Sequence, residues 1–495
     1  MTANVAVMGA GPGGLATARW LLSEGFEPTI FEQAPTVGGQ WTGLPGLSGV
    51  WPTMHTNTSR VLTAFSDLEH ETNLVYPSGR DVLDYLSRYA EEFGLMSRIR
   101  FGARVERLNR DDAGWLVDST GGSERFERVV VATGRFQSPT IPSVLGLDTF
   151  AGAAGVITTY EYRDPAPYRG KRVLVAGGAI SALEIAADIA HFGAARVVVT
   201  QRRQRYVLPK FAAGVPSDYR MFTRYGTLAD ERLPVAEVDR QLKEIVVEAG
   251  GSPEQYGAPA PAPSFFAAGV TLSQHYLPLV AEGRITVRPW IESVEGAAVS
   301  FLDGTTEEFD GIIFGTGFEM QLPFLSEEIR AILDLDTVHL DADRYTFHPD
   351  LPGLAFVGMW DQGGGYFVPL ELQARWIAYT WSGAVAANEA EQRAAVNAYR
   401  ARRGMSQKTR MNLVALTFAR AAGVEPRLEN WPGVRRALLF GPLAPSCFRL
   451  EGSDALADAP ARFARDAAAF GAITSTELTQ REQMYWALVG PRHPW

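Results

Sequence analysis

The chain begins with a glycine fingerprint, Gly9-Ala-Gly11-Pro-Gly13-Gly14, set directly behind the apolar run Val5 to Met8 and followed by a helix-like stretch leading to Thr29-Ile-Phe-Glu32. That order of strand, turn, helix and strand is a βαβ unit, and it admits little besides a doubly wound parallel sheet. Gly9 allows the tight turn off the strand, Gly11 lets the backbone approach a pyrophosphate beside Gly13, and Gly14 lets the helix lie close on the sheet. Glu32, at the end of the second strand, presents a carboxylate to both hydroxyls of a ribose. A dinucleotide-binding domain is expected here.

A second unit repeats the pattern. Lys171 to Ala176 runs into Gly177-Gly178-Ala179-Ile180-Ser181, a helical pattern spans Leu183 to Phe192, and the strand-like run Arg196 to Thr200 is followed by Gln201-Arg202-Arg203. Two nucleotide folds imply two nucleotides. An NAD site would have an acidic residue after that strand, whereas Arg202, with Arg203 beside it, suits a 2′-phosphate. Two more apolar runs, one ending in Thr133-Gly134 and one in Gly315-Thr316-Gly317, mark where the chain leaves and re-enters the first domain. The expected fold class is α/β with two Rossmann-like domains, the second inserted in the first. Residues 1–158 and 319–425 would form the first domain, 159–318 the second, and 426–495 a tail packed on the first. Leu354 to Gly358 is expected to complete the first sheet, Pro369 to Ser382 to be a long helix, and Phe101 to Leu108 a strand.

Other chemistries are excluded by what the chain contains. Cys447 is the single cysteine, so there is no intramolecular disulfide, CxxC redox pair or cysteine-built zinc site. The seven histidines show no HxH or HExxH spacing, and no metal site is expected. A formal net charge of −10 disfavours nucleic acid and anionic membranes as partners. No leader precedes the first strand, no apolar run is long enough to span a bilayer, and the stretch from Met484 to Trp495 is too short and broken for an anchor, so a cytoplasmic location is expected. Asn57-Thr58-Ser59 matches a glycosylation sequon, which has no use in the cytoplasm, so another role is expected for it.

These motifs, together with Gly38-Gly39-Gln40-Trp41, Thr56-Asn57-Thr58-Ser59 followed by Phe65-Ser66-Asp67, and Gly315-Thr316-Gly317-Phe318, resemble the flavin-containing monooxygenases, a branch of the class B flavoprotein monooxygenases. The likeness continues through Tyr256-Gly257, Leu322 to Leu325, Pro369 to Trp376, and Phe440-Gly-Pro442 with Phe448-Arg-Leu450, and so covers nearly the whole chain. It implies FAD on the first domain, NADPH on the second, molecular oxygen as co-substrate and a homodimer. It also implies a flavin peroxide that gives one oxygen atom to a soft nucleophile, nitrogen or sulfur, of a small molecule, in the manner of N,N-dimethylaniline monooxygenase. Such chemistry asks the protein for binding, orientation and exclusion of water, which fits the lack of a triad or paired carboxylates.

By the same resemblance Asn57 is the catalytic candidate, with its carboxamide between the flavin edge and the nicotinamide. The alternative, a side chain capping a turn or helix, stays open. Gly39, Gln40 and Trp41 would lie along the flavin, Gln362 and Gln373 near its ring, and Val105 would contact the adenine through its backbone. Thr133, Gly134, Tyr162, Gly177, Gly178, Ser181 and Thr316 complete the cofactor-binding expectation. The segment from Tyr206 to Tyr276 is expected to wall an apolar or aromatic substrate, although core packing explains the same composition.

The pattern also breaks. The family signature F-x-G-x-x-x-H-S-x-x-Y, aligned backwards from Tyr162, has Thr158 at its histidine and a spacer two residues longer. Threonine cannot titrate near neutral pH. In the second fingerprint Ala179 replaces the middle glycine and Ile180 a common asparagine, which bears on NADPH affinity. Two other readings therefore accompany the main one. One is a Baeyer–Villiger monooxygenase, a branch that usually has tryptophan in place of Tyr162 and needs an arginine, for which Arg60 is the nearest candidate. The other is a flavoprotein with lost or altered NADPH use.

Overall fold

Five apolar strands form the first sheet in the order Leu354–Phe356, Arg128–Val131, Asn4–Met8, Glu27–Glu32 and Ile99–Phe101, all parallel. The computed structural model describes residues 3–405 and 408–490; of the closing stretch, residues 491–495 lie outside the described residues. Because side chains alternate across a strand, Val5 and Val7 pack under the helices Pro12–Ser23 and Phe367–Ser382. Ala6 and Met8 meet an antiparallel meander, Val105–Asp111, Gly114–Ser119 and Gly122–Phe126, on the other face. With both faces covered, the strands read as continuous apolar runs.

The second sheet repeats this design, with Ile285–Arg288, Arg196–Thr200, Arg172–Ala176, Gly311–Phe314 and Gly155–Thr158 in that order and all parallel. Val173 and Val175 face the helix Ile180–His191, while Leu174 and Ala176 face a second meander, Ile291–Glu295, Ala298–Phe301 and Thr306–Glu308. Two boundaries differ from expectation. Gly155–Thr158, assigned to the first domain by a border at 158, is the edge strand of the second sheet, because Val156 and Ile157 give it an apolar residue for each face. The expected strand Phe101 to Leu108 is two strands in two different sheets, divided at Gly102, which has a φ of +69°.

Between Arg196–Thr200 and Ile285–Arg288 the chain leaves the second sheet and crosses to the first domain. Leu208, Met221, Phe222, Leu242 and Phe265 from this excursion share one apolar cluster with Val5, Leu15 and Phe367. The tail grips both parts. Arg449 pairs with Asp67 of the first domain, and Arg375 donates to the Phe448 carbonyl at 3.0 Å. The helix Gln480–Val489 lies on the excursion, where Arg481 pairs with Glu248 at 2.7 Å and Tyr485 stacks on Tyr225 with centroids 5.0 Å apart.

Candidate active site

The carboxyl ends of the two sheets open on one cavity of about 1510 Å³. On the first-domain side Gly9 turns the chain at φ +107°, and a Cβ there would lie 2.6 Å from the Ala132 carbonyl oxygen. A Cβ on Gly14 would lie 1.9 Å from the Gly9 oxygen, so the helix can rest on the strand only with glycine. Gly11, Gly13 and Gly39 line the cavity, and no side chain caps the helix that starts there, so its amides are open to an anion. A Cβ on Gly39 would approach the Gly11 Cα to 3.0 Å, so two bare backbones form this wall.

Glu32 is buried, and its Oε2 and Oε1 accept the amides of Ala10 and Ala34, each at 2.7 Å. Burial raises its pKa and those bonds oppose the shift. Each oxygen keeps a second lone pair for a ribose hydroxyl. Gln40 is fixed by donating to the Phe136 carbonyl at 2.7 Å and accepting the Gly49 amide at 3.0 Å. Trp41, Val105, Thr133 and Gly134 stand along the same wall. The Thr133 Oγ1 and the Asn57 Oδ1 are both buried with no hydrogen-bond partner, as expected of atoms whose partner is a ligand. Gln362 lines the cavity, accepting the Trp360 indole N–H at 2.8 Å and donating to the Gly365 carbonyl at 2.5 Å.

Gln373 is elsewhere. It is fully buried behind the wall, accepts the Gly358 amide at 3.0 Å and donates to the Thr346 Oγ1 at 2.7 Å, so it braces the turn at Gly358 and does not reach the cavity.

On the second-domain side Ala179, Ile180, Ser181 and Thr316 line the cavity, while Gly177 and Gly178 lie behind them. A Cβ on Gly177 would strike the Gly315 oxygen at 2.3 Å, and one on Gly178 the Gln201 Oε1 at 2.4 Å. The helix Ile180–His191 also begins without a side-chain cap. Arg203 lines the cavity and donates to the Ala267 carbonyl at 3.0 Å. Arg202 does not line it, and its guanidinium lies 5.0 Å from the Trp290 ring. Tyr162 is also outside, with its hydroxyl donating to Asp188 at 2.7 Å. Thr158 donates from its hydroxyl and its amide to the Glu161 carboxylate, each at 2.8 Å, and holds the turn that sends Tyr160 to the cavity.

The loop Thr56–Ser59 carries Asn57 to the cavity wall. The Thr56 hydroxyl donates to the Thr58 carbonyl at 2.8 Å, and the Thr58 and Thr63 hydroxyls share a bond of 2.9 Å. Gly365 is the bare backbone against which Thr58 packs. Ser59 N–H donates to Asp218, a fully buried carboxylate whose pKa burial pushes up to about 6. Arg60 points away and donates to the carbonyls of Asn73 and Leu74.

A profile of the family described as flavin-binding monooxygenase-like matches residues 2–464. The chain belongs to this family. Rat N-oxide-forming dimethylaniline monooxygenase 2 is 30% identical over 403 residues, 77% of this chain and 74% of that one. The 4-hydroxybenzoate brominase (decarboxylating) of Marinomonas mediterranea is 28% identical over 494 residues, 94% of this chain and 92% of that one. Among solved structures, S-allyl-L-cysteine S-oxygenase from Allium sativum superposes with a TM-score of 0.64 at 24% identity, covering 94% of this chain and 99% of its own. Cyclohexanone monooxygenase superposes with a TM-score of 0.65 at 19% identity, covering 86% of this chain and 98% of its own. These two show the same fold.

As a member of this flavin-binding family, the chain is a flavin-dependent monooxygenase that uses FAD and NADPH and acts with oxygen on a small molecule. Among the described residues no helix is long and apolar enough to cross a membrane. Three of the family motifs meet in a buried ionic cluster of Ser66, Asp67, Glu371, Arg375 and Arg449, with the Ser66 amide donating to Glu371 at 2.8 Å and Arg19 pairing with Asp67 at 2.6 Å. Burial and the nearby Asp67 raise the pKa of Glu371, and Arg375 opposes them. Sequence reasoning missed Asp218, Arg205 and Lys408. The arginine-rich run 201–205 was a readable signal for Arg205, whereas the other two stand in no motif.

Proposed function

We propose that the enzyme transfers one oxygen atom from O2 to a nitrogen or sulfur atom of a small molecule, at the expense of NADPH. The observation that carries this reading is the buried, unpaired Asn57 Oδ1 in the wall of the cavity onto which both nucleotide turns open. The bound flavin, once reduced, supplies the activated oxygen. The chain's own residues do the rest. Glu32 and the glycine turns hold one nucleotide, Ser181, Thr316 and Arg203 the other, and Asn57 orients groups between them. Met221, Phe222 and Leu413 line the remaining space and keep water from it.

The relatives named for N-oxide formation and S-oxygenation support a soft nucleophile. The cyclohexanone monooxygenase fold supports the second reading, Baeyer–Villiger chemistry, but Arg60, its candidate arginine, is engaged by carbonyls outside the cavity. The test is anaerobic addition of NADPH to the purified yellow protein, followed by oxygen with thioanisole or cyclohexanone. Bleaching of the flavin followed by sulfoxide supports the proposal. A lactone without sulfoxide would establish the second reading, and a flavin that NADPH leaves oxidised would remove both.

A further inference from the structure

The formal net charge of the chain is −10, yet one stretch of the cavity wall is cationic. Arg205 is half-buried there, and among the described residues its guanidinium has no ion-pair partner. Burial and the neighbouring Arg203 push its pKa down, with Asp361 opposing them, so the charge is held at a cost that a bound anion would offset. Lys408 lines the same cavity close to Arg205, Arg203 and Asp361. Thr409 and Arg410 pair in register with Gln362 and Gly363, which places Lys408 beside the loop that faces the reaction centre. Arg410 is neutralised by Asp230. Arg203, Arg205 and Lys408 share this part of the wall with Asp361.

The neighbours of this cluster indicate what it receives. Arg205 leads into the strand Tyr206–Leu208, and Leu208, Met221, Phe222 and Leu413 line the cavity with it. Gly364 has no side chain because a Cβ would lie 2.7 Å from the Phe222 ring, so apolar surface continues up to the loop Gly363–Gly365. The turn that receives the NADPH pyrophosphate, residues 177–181, belongs to the other domain from Lys408. We propose that Arg205 and Lys408 form an anion site at the rim of the reaction chamber, and that the substrate is a small molecule with an apolar body and a carboxylate. This rests on the oxygen-transfer reading.

The probes are thioanisole and 4-(methylthio)benzoate, which offer the same sulfur without and with a carboxylate. Binding is read from the change each causes in the absorption of the oxidised holoenzyme, and turnover from sulfoxide formed. The expected result is a preference for the carboxylate of about tenfold or more, a size typical of one charge-assisted contact, which falls close to one in Arg205→Gln and in Lys408→Gln. No preference in the unaltered enzyme overturns the inference. So does a preference that survives both substitutions while the half-saturating NADPH concentration for flavin bleaching rises, since the cations would then serve the cofactor's phosphate. Carboxylate-selective binding without any sulfoxide would sustain the anion site and refute the oxygen-transfer reading.

Discussion

The carboxylate of Asp218 accepts the amide of Ser59 at 2.6 Å, so a residue of the excursion from the second domain is tied to the loop that carries Asn57. Thr58 and Thr63 hold that loop from the first-domain side, and Asp218 holds it from the excursion. The position of the catalytic candidate thus depends on both domains being in place.

Replacing Asp218 with alanine leaves the Ser59 amide buried and unpaired, a loss of about 1–3 kcal/mol. Asn57 loses its fixed position, so product formation should fall by roughly tenfold and more of the consumed NADPH should appear as hydrogen peroxide. Asp218→Asn keeps an acceptor and should be milder. The check is product, peroxide and NADPH measured in one assay; unchanged coupling in Asp218→Ala would show that the tie is dispensable.

Asp218 also predicts a pH dependence. Its carboxyl titrates at about 6 in the folded protein against a usual 3.8. Between those values the unfolded chain binds fewer protons than the folded one, so this group's contribution to stability is full below about pH 4 and is lost as pH rises through about 6. The loss is roughly 2–3 kcal/mol, from a shift of about two pKa units. Denaturant unfolding at pH 4.5 and 7 should therefore show Asp218→Asn gaining on the unaltered enzyme at the higher pH. A difference between the two proteins that stays constant with pH would contradict this.

Asn57→Ala should reduce oxygen transfer by about a hundredfold, the scale of a single oriented hydrogen-bonding group in a dry site. Bleaching of the flavin by NADPH should be affected far less. Rapid mixing of each half-reaction separately makes the comparison, and equal losses in both would place Asn57 in NADPH binding alone.

Arg203 reaches the cavity and the Arg202 guanidinium lies over Trp290, so a 2′-phosphate contact is expected from Arg203 more than from Arg202. Arg203→Gln should raise the half-saturating concentration of NADPH by about tenfold and leave that of NADH little changed, as expected for loss of one charge-assisted contact to a phosphate. Arg202→Gln should shift it about twofold or less, because its guanidinium lies over Trp290 outside the cavity. Initial rates with both nucleotides decide; a larger effect at Arg202 would restore the original assignment.

The parts of the fold that could be read from the sequence were those whose cause is local. Glycine turns, apolar strands and the helices behind them depend on neighbours in the chain, so Gly9 to Glu32 and Lys171 to Thr200 were legible. The edge strand Gly155–Thr158 was not, because two apolar residues identify a strand only when its partner Gly311–Phe314 is known. The site divides the same way. Gln373 has the composition of a ligand contact but is consumed by the Gly358 turn, and Arg202 is drawn off by Trp290, which is distant in sequence. Asp218 acts on Ser59 across more than 150 positions, a relation with no local pattern.

The order of strands also bears on how the protein is made. All five strands of the second sheet lie between Gly155 and Phe314, whereas the first sheet waits for Leu354–Phe356 and its covering helix Phe367–Ser382. On a ribosome, where chains fold as they emerge, the inserted sheet has every strand available while the N-terminal sheet still lacks one. The domain that begins second in the sequence is thus the one able to finish first, and it provides a completed surface on which the older half of the chain can close.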